Sequence, residues 1–241
     1  MGKTKLYNLI VLDESGSMES IKNSTITGFN EIVQTIKNAE QKYPEQEHYV
    51  TLVTFNSNGI KTKLDGARAK DLKKIDAKVF KPDASTPLYD AIGLSVVKLR
   101  NEINAKDDVT VLVTVLTDGE ENASKEYSGK QLKQIIEDQK RKGWTFVYIG
   151  ANHDVEATAS NLSINNFTRF EANDLDVNKT FKREVVARMN YYDAVHENTT
   201  LNTNFFKDET VKPIKKKPVA IPIFKELKNK FNLNVDDDSA S

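Results

Sequence analysis

Apolar residues in this chain follow two rhythms. Continuous runs at residues 5–12, 49–55, 109–116 and 145–150 are rich in Val, Ile, Leu and aromatic side chains and predict strands. The run at 109–116 (VTVLVTVL) is apolar or β-branched throughout, which suits a central strand covered on both faces. Between the runs, Ile21, Ile26, Phe29, Ile32, Val33 and Ile36 recur near the 3.6-residue period and predict a helix over 18–41. Leu88, Ile92, Val96, Leu99 and Ile103 make a second such stripe. A helix is expected over 129–141, with Gly143 as its stop. A short helix follows at 154–161, then a short strand at 167–170, and Phe181, Val185, Met189 and Tyr192 mark a final helix.

Strands alternating with helices of this length imply βαβ units with right-handed crossovers. The expected fold is therefore α/β, Rossmann-like and doubly wound, with helices on both faces of a mostly parallel central sheet. Asn56-Ser57-Asn58-Gly59 is a turn signal, and residues 60–64 follow as a hairpin partner, which places one antiparallel strand at the sheet edge. After about residue 195 the texture changes. Asn198 to Asn204 is polar, Lys212 to Lys217 is basic, the apolar segment Ile221-Pro222-Ile223-Phe224 is broken by proline, and three aspartates stand near the end. Residues 1–195 are expected to form one domain, and 196–241 a C-terminal linker and tail, partly extended, with one short helix at 224–231.

Composition narrows the function. Thirty-five basic residues balance 35 acidic ones, so no global field draws the chain to nucleic acid or to an anionic membrane. With no cysteine there is no disulfide framework, thiolate nucleophile or thiolate zinc site. No apolar stretch approaches the ~20 residues of a membrane span. The run at 6–12 is too short for a signal sequence, and Leu6 breaks the myristoylation pattern after Gly2. A cytoplasmic location is expected.

Candidate chemistry sits directly behind the first strand, in Asp13-Glu14-Ser15-Gly16-Ser17. One carboxylate and two hydroxyls at alternate positions are hard oxygen donors of the kind Mg²⁺ takes. Thr86, ahead of Pro87 at the mouth of the second helix, and Asp118, in Thr117-Asp118-Gly119 behind the 109–116 strand, add two more. If the strands run parallel, all three loops lie at one sheet edge. Taken singly, Ser15, Ser17 and Thr86 are ordinary helix caps and Asp-Gly an ordinary turn. Glu14 points the other way if the strand's alternation continues, and receives no role. Glu120 and Glu121 fit a solvated loop as well as a supporting shell. His48, His153 and His196 lie on different elements and form no ligand pair.

The order D-x-S-G-S-M, T-P-L-Y-D-A-I and T-D-G resembles the von Willebrand factor type A domain, over roughly residues 4–192. The resemblance implies a metal-ion-dependent adhesion site built from Asp13, Ser15, Ser17, Thr86 and Asp118. The serines would coordinate directly, and the threonine and aspartates directly or through water. It implies Mg²⁺, with Mn²⁺ or Ca²⁺ as alternatives, and a protein partner whose Asp or Glu completes the coordination. It also implies a bacterial or phage cytoplasmic type serving a multiprotein assembly, sometimes beside an ATPase.

An enzyme is not expected. The G-x-S-x-G elbow, G-x-G-x-x-G and the P-loop are missing, and the second aspartate of phosphoaspartyl enzymes is replaced by Ser15. Two alternatives stay open: a metal-assisted hydrolase or phosphatase using Asp13 and Asp118, and a scaffold whose metal only stiffens the loops.

Overall fold

The computed structural model describes residues 3–103, 109–199 and 205–206. Six strands, β1 (Thr4–Asp13), β2 (Gln46–Asn56), β3 (Gly59–Arg68), β4 (Val109–Thr117), β5 (Thr145–Ala151) and β6 (Asn166–Phe170), form one sheet in the order β3-β2-β1-β4-β5-β6. Only β3 runs antiparallel, paired to β2 through the turn at Gly59. The other neighbours are parallel.

Helices α1 (Lys22–Lys42), α2 (Leu88–Glu102), α3 (Gly129–Arg141), α4 (Val155–Asn161) and α5 (Asp174–His196) provide the layers. Alternation along the strands divides the core in two. Leu6, Ile10 and Leu12 of β1 and Leu112 and Leu116 of β4 pack with Phe29, Ile36 and Phe181 of α1 and α5. Leu9, Val11, Val111, Val113 and Val115 point to the other face, against Leu88, Ile92 and Val96 of α2 and Leu132 and Ile136 of α3. Both faces of β1 and β4 are thus buried, which is why those two strands read as continuous apolar runs.

The first helix departs from expectation. Its first turn, Gly16–Ile21, is a 3₁₀ turn, and the α-helix starts only at Lys22. α5 begins seven residues before Phe181, capped by Asn173, whose side chain accepts from the Asp176 N–H. α3 opens on a capping box between Ser128 and Gln131 and ends before Gly143, whose φ of 87° lies in the left-handed region.

α5 is tied to the sheet by buried polar groups as well as by apolar ones. The fully buried Arg188 donates to Glu184 (2.7 Å), Asn8 (3.0 Å), Tyr192 (3.1 Å) and Thr114 (2.7 Å). His48 is buried edge-on to Tyr192. Phe205 and Phe206 are also buried: the Phe205 N–H donates to the Asn166 side chain at 2.8 Å, its ring meets Tyr191, and the Arg183 guanidinium lies over the Phe206 ring. The helix expected at 224–231 lies outside the described residues.

Strand order reverses direction between β1 and β4. Loops leaving the carboxyl ends of these two adjacent strands flank the switch point of the doubly wound sheet, where such folds bind ligands.

Candidate metal centre

β1 ends by carrying Asp13 into the interior at the switch point, with no exposed surface. Its Oδ1 accepts from the Ser15 backbone N–H (2.8 Å) and its Oδ2 from the Thr117 hydroxyl (2.5 Å). Burial raises the Asp13 carboxyl to about 6; the bonds from Thr117 and Ser15 oppose that rise, and the Asp118 charge adds to it.

Asp118 comes from the end of β4. Its Oδ1 accepts from the Ser17 hydroxyl at 2.6 Å, and Ser17 Oγ lies 3.3 Å from Ser15 Oγ. Its Oδ2 is buried and has no hydrogen-bond partner. Burial raises this carboxyl as well, while the Ser17 bond and His153 lower it. A buried carboxylate oxygen without a donor is costly.

Thr86 reaches the cluster from the second of the three loops in chain order. A Cβ built on Gly119 would lie 3.3 Å from Thr86 Oγ1 and 4.0 Å from Ser17 Oγ, so both hydroxyls face the same small space beside Asp118. Neither Ser15 nor Thr86 spends its side chain as a helix cap. Ser15 precedes the 3₁₀ turn without a capping bond, and Pro87 rather than Thr86 holds the N-cap position of α2. The structure thus brings Asp13, Ser15, Ser17, Thr86 and Asp118 together from three loops, with the Ser17 hydroxyl turned to Asp118 and neither Ser15 nor Thr86 used as a cap.

Residues given no role in the sequence hold these loops. Glu14 is buried, not directed to solvent; its Oε1 accepts from the Lys81 N–H at 2.7 Å. Glu121 accepts from the Tyr89, Ala123 and Ser124 N–H groups and the Ser124 hydroxyl, which makes it a structural anchor and not a solvated loop acid. Asn122 bonds both backbone groups of Thr86. Asp90 accepts three successive N–H groups, from Lys125, Glu126 and Tyr127. Apart from the bonds of Glu121 to Ala123 and Ser124, these partners lie far away in sequence, so no local spacing betrays them.

The three histidines are engaged with groups outside the cluster. His153 Nδ1 donates to the Ala151 carbonyl, and its Nε2 shares a hydrogen bond with Tyr148 OH at 3.0 Å. His48 is buried beside Gln46, and exposed His196 pairs with Glu45.

The donor set suits a hard divalent cation. Two carboxylates bring at most two negative charges, three hydroxyls bring none, and the fully buried oxygen left without a partner is a carboxylate oxygen. Among the described residues no group of three or more His, Cys, Asp or Glu could hold a metal. Any ion here would rest on hydroxyls for much of its coordination.

Fold and site define a doubly wound α/β domain with a carboxylate–hydroxyl cluster at its switch point. The sequence profile of the von Willebrand factor type A domain matches residues 9–184, and the chain belongs to that family. Among solved structures, it is similar to the vWF domain of the type V pili tip protein Mfa5 from Porphyromonas gingivalis, at 11% identity and a TM-score of 0.54, covering 84% of this chain and 98% of that one. It is also similar to the pilus adhesin SpaC from Lactobacillus rhamnosus GG, at 15% identity and a TM-score of 0.55, covering 78% of this chain and 31% of that one. A third similarity is to proximal thread matrix protein 1 from the mussel byssus, at 15% identity and a TM-score of 0.53, covering 77% of this chain and 46% of that one. The chain spans less than half the length of the last two, and identities this low speak for the fold alone. No curated protein matches the sequence.

Proposed function

We propose that this domain is a metal-dependent protein-interaction module, holding Mg²⁺ through Ser15, Ser17, Thr86 and Asp118, with Asp13 contributing directly or through water. The observation that carries this reading is the unpartnered buried Oδ2 of Asp118, in a cluster where Ser17 already bonds the other oxygen of that carboxylate and Ser15 and Thr86 cap no helix. Mg²⁺ or Mn²⁺ in that place would supply a Lewis-acid position for an outside carboxylate, because mostly neutral ligands leave the ion electrophilic. The partner is accordingly a protein presenting an Asp or Glu, within a multiprotein assembly. A cytoplasmic setting belongs to the same proposal and rests on the sequence.

Asp13 does not favour the hydrolase alternative. It is fully buried, and both of its oxygens already accept hydrogen bonds, which suits a framework acceptor better than an attacking group. Among the described residues no helix is long and apolar enough to cross a membrane.

Water-proton relaxation with Mn²⁺ tests the reading. Wild-type protein should enhance the relaxivity of Mn²⁺, and Asp118→Ala should not. Acetate should then lower the enhancement by displacing a bound water, whereas an equal concentration of chloride should leave it in place. Enhancement that acetate leaves unchanged would favour the purely structural metal, and no enhancement in wild type would remove the metal altogether.

A further inference from the structure

Thr86 is carried by a segment without regular structure between Phe80 and α2. Within it, Ala84 has a φ of 63°, a left-handed conformation that a residue with a Cβ seldom adopts. Such a loop does not hold its shape alone, so what restrains it also places Thr86.

Its outer side is pinned by the hairpin turn. Ser57 N–H donates to the Ser85 carbonyl at 2.8 Å, Ser85 N–H donates to Ser57 Oγ at 3.1 Å, and Asn58 donates to Asp83 at 3.0 Å. Its inner side rests on the first metal loop, chiefly on Glu14. The side-chain Oε1 of Glu14 accepts from Lys81 N–H at 2.7 Å, and the Glu14 carbonyl accepts from Asp83 N–H at 2.9 Å. Gly16 N–H then donates to the Ala84 carbonyl at 3.0 Å. Glu14 is itself fixed: its N–H donates to the Phe55 carbonyl, and the Asn56 amide donates to its carbonyl.

The acid is buried, and its nearest cation, Lys63, stands 3.9 Å away. Placing a carboxylate here makes sense if a strong acceptor is needed for the Lys81 N–H; an apolar side chain would fill the same space without the desolvation cost. Asp13 and Ser15, the neighbours of Glu14 in sequence, face the metal cluster, so one three-residue stretch serves the cluster and the loop that completes it.

We infer that Glu14 is a positioning residue: by accepting from Lys81 it fixes the loop that sets the Thr86 hydroxyl at the metal cluster. This rests on the proposed metal site and adds to it the means by which the second loop is locked to the first.

Calorimetric titration of the full chain with Mn²⁺ tests it, using wild type, Glu14→Met, Glu14→Gln, Thr86→Ala and the two Glu14 changes in the Thr86→Ala background. Glu14→Met keeps the volume and removes the acceptor, and should weaken Mn²⁺ binding about 10-fold or more, the usual effect of losing a residue that orients a ligand. Glu14→Gln keeps an amide oxygen for Lys81 and should stay within about 3-fold of wild type. In the Thr86→Ala background, Glu14→Met should change affinity by less than about 2-fold, because the ligand it places is gone.

A merely structural Glu14 would lower the melting temperature yet leave affinity unchanged, or weaken binding equally with and without Thr86. Either result would overturn the inference while leaving the metal site standing. If Glu14→Met fails to fold, the Glu14→Gln pair decides: loss of affinity in both backgrounds would overturn the inference, and near-wild-type binding, with Thr86→Ala weakened, would support it. Absence of Mn²⁺ binding in wild type would remove the metal site, and the inference with it.

Discussion

Asn122 clasps Thr86 from both sides: its side-chain oxygen accepts the Thr86 N–H at 2.9 Å, and its own backbone N–H donates to the Thr86 carbonyl at 3.2 Å. The two residues lie 36 apart in sequence. This bond pair couples the loop after β4 to the loop before α2, just as Glu14 couples the latter to the loop after β1.

Replacing Asn122 with Ala should therefore loosen Thr86 without touching any proposed ligand. Mn²⁺ affinity is expected to fall about 10-fold, with Asn122→Asp, which keeps an acceptor oxygen, affected less. Calorimetric titration of the three proteins checks this, and equal affinities would dissociate the clasp from the site.

Stability in the presence of Mg²⁺ should depend on pH in a defined direction. Burial lifts the Asp13 carboxyl from its ordinary 3.8 to about 6, so the folded metal-free chain holds this proton more tightly than the unfolded chain does. The resulting stabilisation is present below the unfolded value and is lost as pH rises through about 6. A cation would compete with that proton. Near pH 7.5, Mg²⁺ at about ten times its dissociation constant should add about 1.4 kcal/mol and raise Tm by roughly 4 °C. Near pH 5 the increment should shrink. An increment independent of pH would count against Asp13 as part of the cation's environment.

His48 titrates with the opposite sign. Burial, aided by the Arg188 and Arg68 charges, depresses its pKa from 6.5 to about 3, so the fold favours the neutral ring. Its contribution is intact above the unfolded value and falls as pH drops from 6.5 toward 3. Between pH 6.5 and 5 the loss amounts to about 2 kcal/mol. His48→Phe, which keeps an aromatic ring against Tyr192, should remove that part of the acid sensitivity; urea unfolding of both proteins at the two pH values measures the difference.

Arg188 serves four buried partners at once. Arg188→Met leaves Glu184 buried without its cation and Asn8, Thr114 and Tyr192 short of a donor, for an expected loss of about 3–5 kcal/mol and roughly 10 °C in Tm. Adding Glu184→Gln should recover a substantial share, because the orphaned charge is then gone. Urea denaturation of the single and double variants decides.

A chain ending after residue 208 keeps Phe205 and Phe206 against Tyr191 and Arg183, whereas one ending after 199 loses both rings. The shorter truncation product should be less stable by about 3 kcal/mol or more, judged from the cost of removing a single buried Phe. Equal melting temperatures for the two would show that these rings contribute nothing and would place the domain's end nearer residue 195.

β1 and β4 were legible in the sequence because burial on both faces removes polar alternation, and the end of α3 was legible because its glycine stop is local. The five cluster residues were singled out by the order and spacing of their motifs and by the family resemblance those motifs carry, with Asp13, Ser15, Ser17 and Asp118 behind strand ends and Thr86 ahead of a helix start. The 3₁₀ turn at Gly16–Ile21 escaped because Met18 and Ile21 are buried as they would be in an α-helix, while the loop geometry around Ser15 and Ser17 dictates a tighter winding. Glu14 escaped for another reason. Strand alternation directs it away from the metal side, correctly, but says nothing of a partner 67 residues later. Asn122 and Asp90 share that invisibility: their bonds are specified by tertiary approach, not by neighbours in the chain.

The strand order carries a consequence for the chain as it is made. β1 pairs with β2 on one side and with β4 on the other. A growing polypeptide that has released residues through Arg68 can form β1, β2 and β3, but the long apolar β1 then presents an open row of N–H and C=O groups to whatever is nearby, the condition under which strands join the wrong chain. Only when Val109–Thr117 emerges is that row filled, and the same strand delivers Asp118. Closure of the sheet's vulnerable seam and completion of the carboxylate–hydroxyl cluster are one event in the life of the nascent protein.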